Sequence, residues 1–400
     1  MPSSPRPRTI LQIIPGLETG GAERTTIDIA AALAARGDRA LVASAGGRLE
    51  GELRAAGGTL FRIDIGSKNP AAIAINALRL AWLARRERVD LLHARSRAPA
   101  WAALAACRAT GLPLVTTYHG IYGERGAAKW LYNSVMARGD MVIANSAYTA
   151  RLVAERYGTE AARIVVIHRG TDLQRFRRES VEEPRRVALR REWGLSGAEK
   201  VVLNLARLTA WKGQKILIEA AALPPLAGHD RLVVVLAGHA QGRESYRREI
   251  EALIAARGLG GRVKIVGHCA DVPAALAIAD VAVIASTEPE AFGRAAVEAE
   301  AMGVPVVVTA HGAAPETVLA PPRVTAESRT GWHVPPGDPQ SLAGAVAAAL
   351  ALGPAERQAL AGRSRAHAER FSVEAMQAAT LEVYHRVLSA RPPRDGFLEP

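Results

Sequence analysis

Short, near-continuously apolar runs alternate with longer Ala- and Leu-rich stretches along most of the chain. Unbroken apolar runs suit strands buried on both faces, and the longer stretches repeat at helical spacing, so the pattern predicts stacked βαβ units with parallel sheets. In the first half, strands are predicted at 9–14, 39–44, 60–64, 89–94, 113–119, 141–146 and 163–168. The segment AERTTIDIAAALAARG reads as a helix stopped at Gly37. The alternation lapses between Leu173 and Lys200, a highly charged connector with a short helix expected near Arg185–Trp193. It resumes with strands at 201–208, 231–238, 263–267, 281–286, 305–310 and 331–336, and two or three helices close the chain. The expected fold class is α/β, with two doubly wound domains. Ligands in such sheets bind beyond the strand C-termini, where strand order reverses. Two such domains facing each other make a cleft able to close on a substrate.

Length agrees with two domains: 400 residues exceed one ordinary core. Aromatic residues make up only 4% of the chain, which argues against a base-stacking surface, and no nucleic-acid partner is expected. The net charge is +12, and it is uneven: Met1 to Asp172 carries 23 Lys and Arg against 14 Asp and Glu. A basic first half suits an anionic partner, or simply reflects an Arg-rich chain. Cys107 and Cys269 form neither a metal spacing nor a disulfide framework, which fits a reducing compartment. The N-terminal apolar run is broken at Pro15 and is expected to be a first buried strand rather than a signal peptide. No run reaches the roughly 18 apolar residues of a membrane span, so any membrane contact is expected to be peripheral. Lys129–Arg138, with Trp130, Leu131, Tyr132, Val135 and Met136, reads either as a membrane-touching or as a core-facing helix.

The chemistry-bearing residues gather at predicted strand ends. Gly20-Gly21 follow the first strand and open a helix; they let a ligand approach the backbone, or merely make a tight turn. His119 ends the 113–119 strand, where it can bond a hydroxyl or phosphate or be an ordinary loop histidine. His93 and Arg95-Ser96-Arg97 suit an anionic acceptor or a solvated loop. Arg207 and Lys212 lie near one turn with Gly213 opening a helix; two cations there can neutralise a pyrophosphate without a metal, or be surface charges. Gly238-His239 and Gly267-His268 can place backbone along a base edge or be plain turns. Most telling is TEPEAFGRAAVEAEAMGVPVVVTAHGAAPETV (287–318), in which Glu290 stays on a loop, Phe292-Gly293 turn into a helix, and Glu298 follows inside it. The helix start suits a phosphate. The two carboxylates are expected to grip different ends of one extended ligand rather than to form a glycosidase dyad.

Together, the GGAER loop, the Arg207/Lys212 pair, the Glu290-to-Glu298 spacing with Phe292-Gly293, and TGWHVPPGD resemble the retaining glycosyltransferases of family four, group 1, over nearly the whole chain. The resemblance is to bacterial members that build lipopolysaccharide core or other surface polysaccharides. It implies the GT-B fold: a Rossmann-like acceptor-side domain at 1–180, a Rossmann-like donor-binding domain at 181–372, a helix at 373–391 crossing back, and a flexible tail at 392–400. It implies a hexosyltransferase using a UDP- or GDP-sugar donor, with no cofactor and no metal, and a glycan or lipid-linked, anionic acceptor. By the same resemblance, Arg207 and Lys212 bind the pyrophosphate, Glu290 the sugar hydroxyls, and the N–H groups of Phe292 and Gly293 the sugar or its phosphate. Glu298 takes the ribose, His119 the sugar near the reacting carbon, and Gly20-Gly21 the pyrophosphate and acceptor side; Gly238 is placed with the nucleotide contacts. Arg294 stands where many relatives carry an apolar residue, which leaves open an extra phosphate or acceptor contact. The implied place is the cytoplasm, with contact to the inner membrane's cytoplasmic face. The alternatives are a nucleotide-sugar epimerase or glycogen-type synthase of similar fold, and a non-catalytic sugar-nucleotide-binding protein.

Overall fold

The computed structural model describes residues 6–18, 20–123 and 126–390; Thr19 of the glycine loop and the expected tail lie outside them. The chain divides into two compact units, Met1–Gly170 with Val373–Pro400, and Thr171–Ser372. The division falls ahead of the expected 180/181 boundary. Its cause is local: Phe176 and Val181 are buried in the second unit's core, and the Thr171 N–H donates to the Phe371 carbonyl at 2.8 Å. The two crossings between units are thereby tied side by side.

The first unit runs β1 (Thr9–Ile13), α1 (Gly21–Ala35), β2 (Arg39–Ser44), α2 (Glu50–Ala55), β3 (Gly58–Arg62), α3 (Pro70–Arg86), β4 (Leu91–Ala94), α4 (Arg97–Thr110), β5 (Leu114–Tyr118), α5 (Ala127–Ser134), β6 (Met141–Ala144), α6 (Ala147–Tyr157) and β7 (Ile164–Val166). Its seven strands are ordered β3-β2-β1-β4-β5-β6-β7, and every pairing is parallel. β1, β4, β5 and β6 are buried at every position, as unbroken apolar runs require. Order reverses between β1 and β4, which puts the glycine loop and the Arg95 segment at the switch point.

The second unit runs α7 (Glu183–Glu192), β8 (Lys200–Leu205), α8 (Gln214–Ala222), β9 (Leu232–Ala237), α9 (Glu244–Ala256), β10 (Val263–Gly267), α10 (Val272–Ile278), β11 (Val281–Ile284), α11 (Arg294–Ala301), β12 (Val306–Thr309), α12 (Ala314–Thr317), β13 (Gly331–Val334), α13 (Pro339–Leu350) and α14 (Pro354–Ala368). Its six parallel strands are ordered β10-β9-β8-β11-β12-β13, so order reverses between β8 and β11. The last helix, α15 (Val373–Ser389), returns to the first unit. It buries Met376, Leu381, Val383, Tyr384 and Val387 in one core with Ile27, Ile29 and Leu33 of α1. Each such apolar side chain contributes roughly 1.5–3 kcal/mol. The Gln377 side-chain amide donates to the Asp28 carbonyl at 2.7 Å, fixing the register of the two helices.

Candidate active site

In the second unit, the loops after β8 and β11 meet at the switch point. The β8 loop is pinned from beneath by buried amides. Asn204 Nδ2 donates to the Val283 carbonyl at 2.9 Å, and Gln214 Nε2 to the Arg207 carbonyl at 2.9 Å. A single turn over Ala210–Lys212 then ends at Gly213, whose φ is +70°. A Cβ at Gly213 would overlap the Ala285 carbonyl oxygen of the β11 loop. Only glycine meets both demands, and its absent side chain brings Lys212 against the neighbouring loop.

Lys212 Nζ donates to Glu290 Oε1 at 2.6 Å, with the two side chains 16% and 14% exposed. Lys212 also lies 4.1 Å from the centroid of the Trp211 ring. Ser286 Oγ donates to the same Glu290 oxygen in a short bond. The Ser286 carbonyl in turn accepts from Thr309 Oγ1 at 2.7 Å and His311 Nε2 at 2.9 Å. The backbone at Glu290 bridges to Gly312, and its carbonyl accepts from the Ala313 N–H at 2.9 Å. A Cβ on Gly312 would stand 2.6 Å from the Glu290 backbone. Ser286, Thr309, His311 and Gly312 therefore hold Glu290 in place. None was singled out from the sequence, although Ser286 closes the predicted 281–286 strand and TAHG closes the next.

Gly293 caps α11 with φ +84°, and no side chain caps that helix start. A carboxylate and a helix N-terminus thus lie beside one cation, an arrangement suited to a ligand carrying hydroxyls next to a phosphate. The helix begins at Arg294, with Gly293 outside it. Phe292 is 3% exposed and packs edge-on against Phe371 at 5.7 Å, so its side chain belongs to the core. Glu298, in the second turn of α11, is partly buried. Burial pushes its carboxyl up to about 7, opposed first by Arg294 and then by Arg175. Arg294 thus faces Glu298 along the helix. Arg207 is exposed, with its guanidinium 3.5 Å from Gln241 Oε1. At Gly238 a Cβ would overlap the Ala206 carbonyl oxygen, so the β8 and β9 loops touch backbone to backbone.

The first unit is built differently. His119 follows β5, and its carbonyl accepts from Arg169 at 2.8 Å and from Asn145 Nδ2 at 3.1 Å. Both ring nitrogens are buried without a hydrogen-bond partner among the described residues. They face a cavity of about 20 Å³ shared with Arg95, Thr117, Asn145 and Met376, room for about one water. Burial, then Arg169 and Arg95, hold the His119 pKa well below the usual range. The ring is neutral and offers one donor and one acceptor. His93 and Arg95 are neither solvated nor free for an outside anion: both are buried. His93 Nδ1 lies 2.6 Å from Tyr384 Oη and its Nε2 lies 2.7 Å from Thr117 Oγ1. Arg95 donates to Gln12 Oε1 at 2.7 and 3.1 Å. Gln12 and Tyr384 were missed because nothing marks a polar residue inside an apolar strand, or one on a helix near residue 384, as partners of β4. Gly20 is the N-cap of α1 and Gly21 its first residue; the Glu23 carboxylate curls back over Gly20.

Residues 19–175 match the family described as Glycosyltransferase Family 4, and residues 186–367 match Glycosyl transferases group 1. A glycosyltransferase from Rickettsia africae is 31% identical with a TM-score of 0.87, covering 96% of this chain and 100% of that one. Anabaena HepE, solved in complex with UDP and glucose, is 27% identical with a TM-score of 0.77, covering 95% of this chain and 100% of that one. A D-inositol 3-phosphate glycosyltransferase of Xylanimonas cellulosilytica is 34% identical over 65% of this chain and 60% of that protein. The chain spans about half to 60% of the length of such inositol phosphate relatives.

Proposed function

For a chain that belongs to the family 4, group 1 glycosyltransferases, we propose the transfer of a sugar from a uridine diphosphate sugar to a hydroxyl of an anionic, glycan or lipid-linked acceptor, with retained configuration and no metal ion. The observation that carries this reading is the Lys212–Glu290 pair at the β8/β11 switch point, beside the uncapped start of α11. The likeness to a structure solved with UDP and glucose supports the choice of base and donor class.

In this reading Glu290 accepts hydrogen bonds from the transferred sugar's hydroxyls. Lys212 turns from Glu290 towards the diphosphate as the donor enters. The bond from the anomeric carbon to the diphosphate oxygen breaks through an oxocarbenium-like state, and the departing charge is met by Lys212, Arg207 and the N–H groups at Gly293. Fixed donors aimed at developing charge supply the largest share of such catalysis. The acceptor hydroxyl attacks from the face the diphosphate leaves, and a donor phosphate oxygen takes its proton. Glu298 receives the ribose hydroxyls, and Gly238 gives the base close access to backbone. Gly20-Gly21 line the pyrophosphate and acceptor side. His119, neutral, bonds a sugar hydroxyl near the reacting carbon. The basic balance of the first 172 residues favours a phosphorylated acceptor. A surface-polysaccharide precursor at the cytoplasmic membrane face meets that description.

The test is nucleoside diphosphate release from a panel of nucleotide sugars, with and without chelator and with lipid-linked glycans or inositol phosphates as acceptors. UDP release that survives chelation and speeds up with a phosphorylated lipid-linked acceptor is the expected result. Release that requires added metal, or tight donor binding without turnover under every acceptor, overturns it. A free epimer formed without acceptor favours the epimerase instead.

A further inference from the structure

α3 carries apolar residues on two opposite faces. One face buries Asn76, Ala77, Leu80, Ala81, Leu83 and Ala84. The opposite face leaves Ile75, Leu78 and Trp82 exposed by 51%, 73% and 59%. These three recur at i, i+3 and i+7, so they form one stripe along the helix. A contiguous exposed apolar stripe marks a contact surface.

The charge beside the stripe identifies what covers it. The sequence of α3, PAAIAINALRLAWLARR, contains no Asp or Glu. Arg79, Arg85 and Arg86 are exposed on the same helix; Arg85 donates to the Ala109 carbonyl at 3.0 Å, and the Arg86 guanidinium lies 3.6 Å from the carboxylate of Glu87, which ends the helix, and 5.0 Å from the Trp82 ring centroid. Trp beside Arg on a helix surface places an amphipathic ring and a cation at one depth, the arrangement that suits a lipid headgroup layer. A second copy of this face would set arginine against arginine, so like charge disfavours a symmetric dimer through it. On the α5 segment, Trp130 and Leu131 are also exposed, by 41% and 49%, but the segment is tied to its neighbours. The Trp130 indole donates to the Arg156 carbonyl at 3.1 Å and stacks near Tyr157, and Val135 and Met136 are buried.

We propose that α3 is the membrane-docking surface of this protein: Ile75, Leu78 and Trp82 enter the headgroup–acyl boundary of an anionic bilayer while Arg79, Arg85 and Arg86 pair with its phosphates. The surface involves none of the residues assigned to sugar transfer, so its failure and the failure of that assignment are separable. It places the first unit against the leaflet from which a lipid-linked acceptor is reached.

The test is co-sedimentation of the full chain with phosphatidylcholine vesicles, with and without phosphatidylglycerol, alongside UDP-sugar hydrolysis in solution. Wild type binds the anionic vesicles in a salt-sensitive way. Leu78→Glu and Trp82→Ser each weaken that binding by about tenfold or more, and Arg79→Glu by about fivefold, as expected for losing interfacial apolar area or a cation near the surface. Hydrolysis and melting temperature stay at wild-type values, because these side chains are exposed. Leu131→Glu on α5 leaves vesicle binding unchanged. Vesicle binding that is absent, that survives all three α3 substitutions, or that is lost only with Leu131→Glu overturns the proposal. So does a dimer that Leu78→Glu dissociates while lipid binding is unaffected.

Discussion

The two units share a topology but use their switch points in opposite ways. At the β8/β11 switch of the second unit, a cation and a carboxylate meet on loops, 2.6 Å apart and still partly exposed. The groups that hold them come from the same sheet's strand ends and loops: Ser286, Thr309, His311 and Gly312 on one side, Gly213 on the other. The corresponding strand ends of the first unit are sealed. His93 and Arg95 are buried, and the hydroxyl at His93 Nδ1 comes from Tyr384 on α15, at the far end of the chain. One sheet leaves its charges within reach of a ligand; the other holds a polar cluster inside itself, with the His119 ring facing a small cavity. A doubly wound sheet therefore fixes where a site can form. Whether that place is open or plugged depends on what packs over it.

Removing the Lys212 ammonium tests the open site most severely. Lys212→Ala is expected to lower kcat by about 10²–10³-fold, the scale of losing one donor aimed at developing charge, with circular dichroism unchanged. A variant as active as wild type breaks the assignment. Next, Gly213→Ala drives a Cβ into the Ala285 carbonyl at a left-handed φ. It is expected to cost about 2–4 kcal/mol in denaturant unfolding and to raise KM for the donor, because the same turn places Lys212. On the sealed side, Tyr384→Phe removes the hydroxyl at His93 Nδ1. A buried polar atom left without its partner costs about 1–3 kcal/mol, expected in first-unit amide protection with the second unit unaffected.

The smallest effect separates the units by pH. Burial, then Arg95, holds the His93 pKa well below the histidine range, as burial does for His119. Bases depressed on folding stabilise the first unit above their unfolded pKa, and that contribution is lost as pH falls below about 6.5. Glu298 has the reverse sign. Its carboxyl rises to about 7 through burial, so folding binds an extra proton. The stability this lends is full below the ordinary carboxyl pKa and is lost as pH rises towards 7. Hydrogen exchange read separately in each unit at about pH 7.5 and about pH 5.5 is expected to show the first unit loosening in acid, with the Glu298 contribution moving the other way. Glu298→Gln removes only the second trend; equal slopes in both variants break the comparison.

Much of the second unit was legible in sequence because its parts are local. The run VAVIAS, the glycine at 293 and the Glu290-to-Glu298 spacing lie within one strand–loop–helix stretch, and residues close in sequence at a strand end stay close in space. The Phe292 side chain illustrates the limit: only its N–H was assigned to a ligand, and that its ring enters the core against Phe371 had no mark in the sequence. His93 and Arg95 show a larger one, since a histidine and an arginine at a strand end look the same in sequence whether they face solvent or Tyr384.

The chain's own pattern determined the two parallel sheets, their thirteen strands and the strand ends at which chemistry gathers, because apolar periodicity and glycine placement act over a few residues. Tertiary structure alone decided three things: that Lys212 rests on Glu290, that α15 closes the first sheet's polar cluster, and that α3 turns an apolar stripe outward. Each depends on which distant surface comes to lie beside a side chain, and a linear sequence carries no local mark of that.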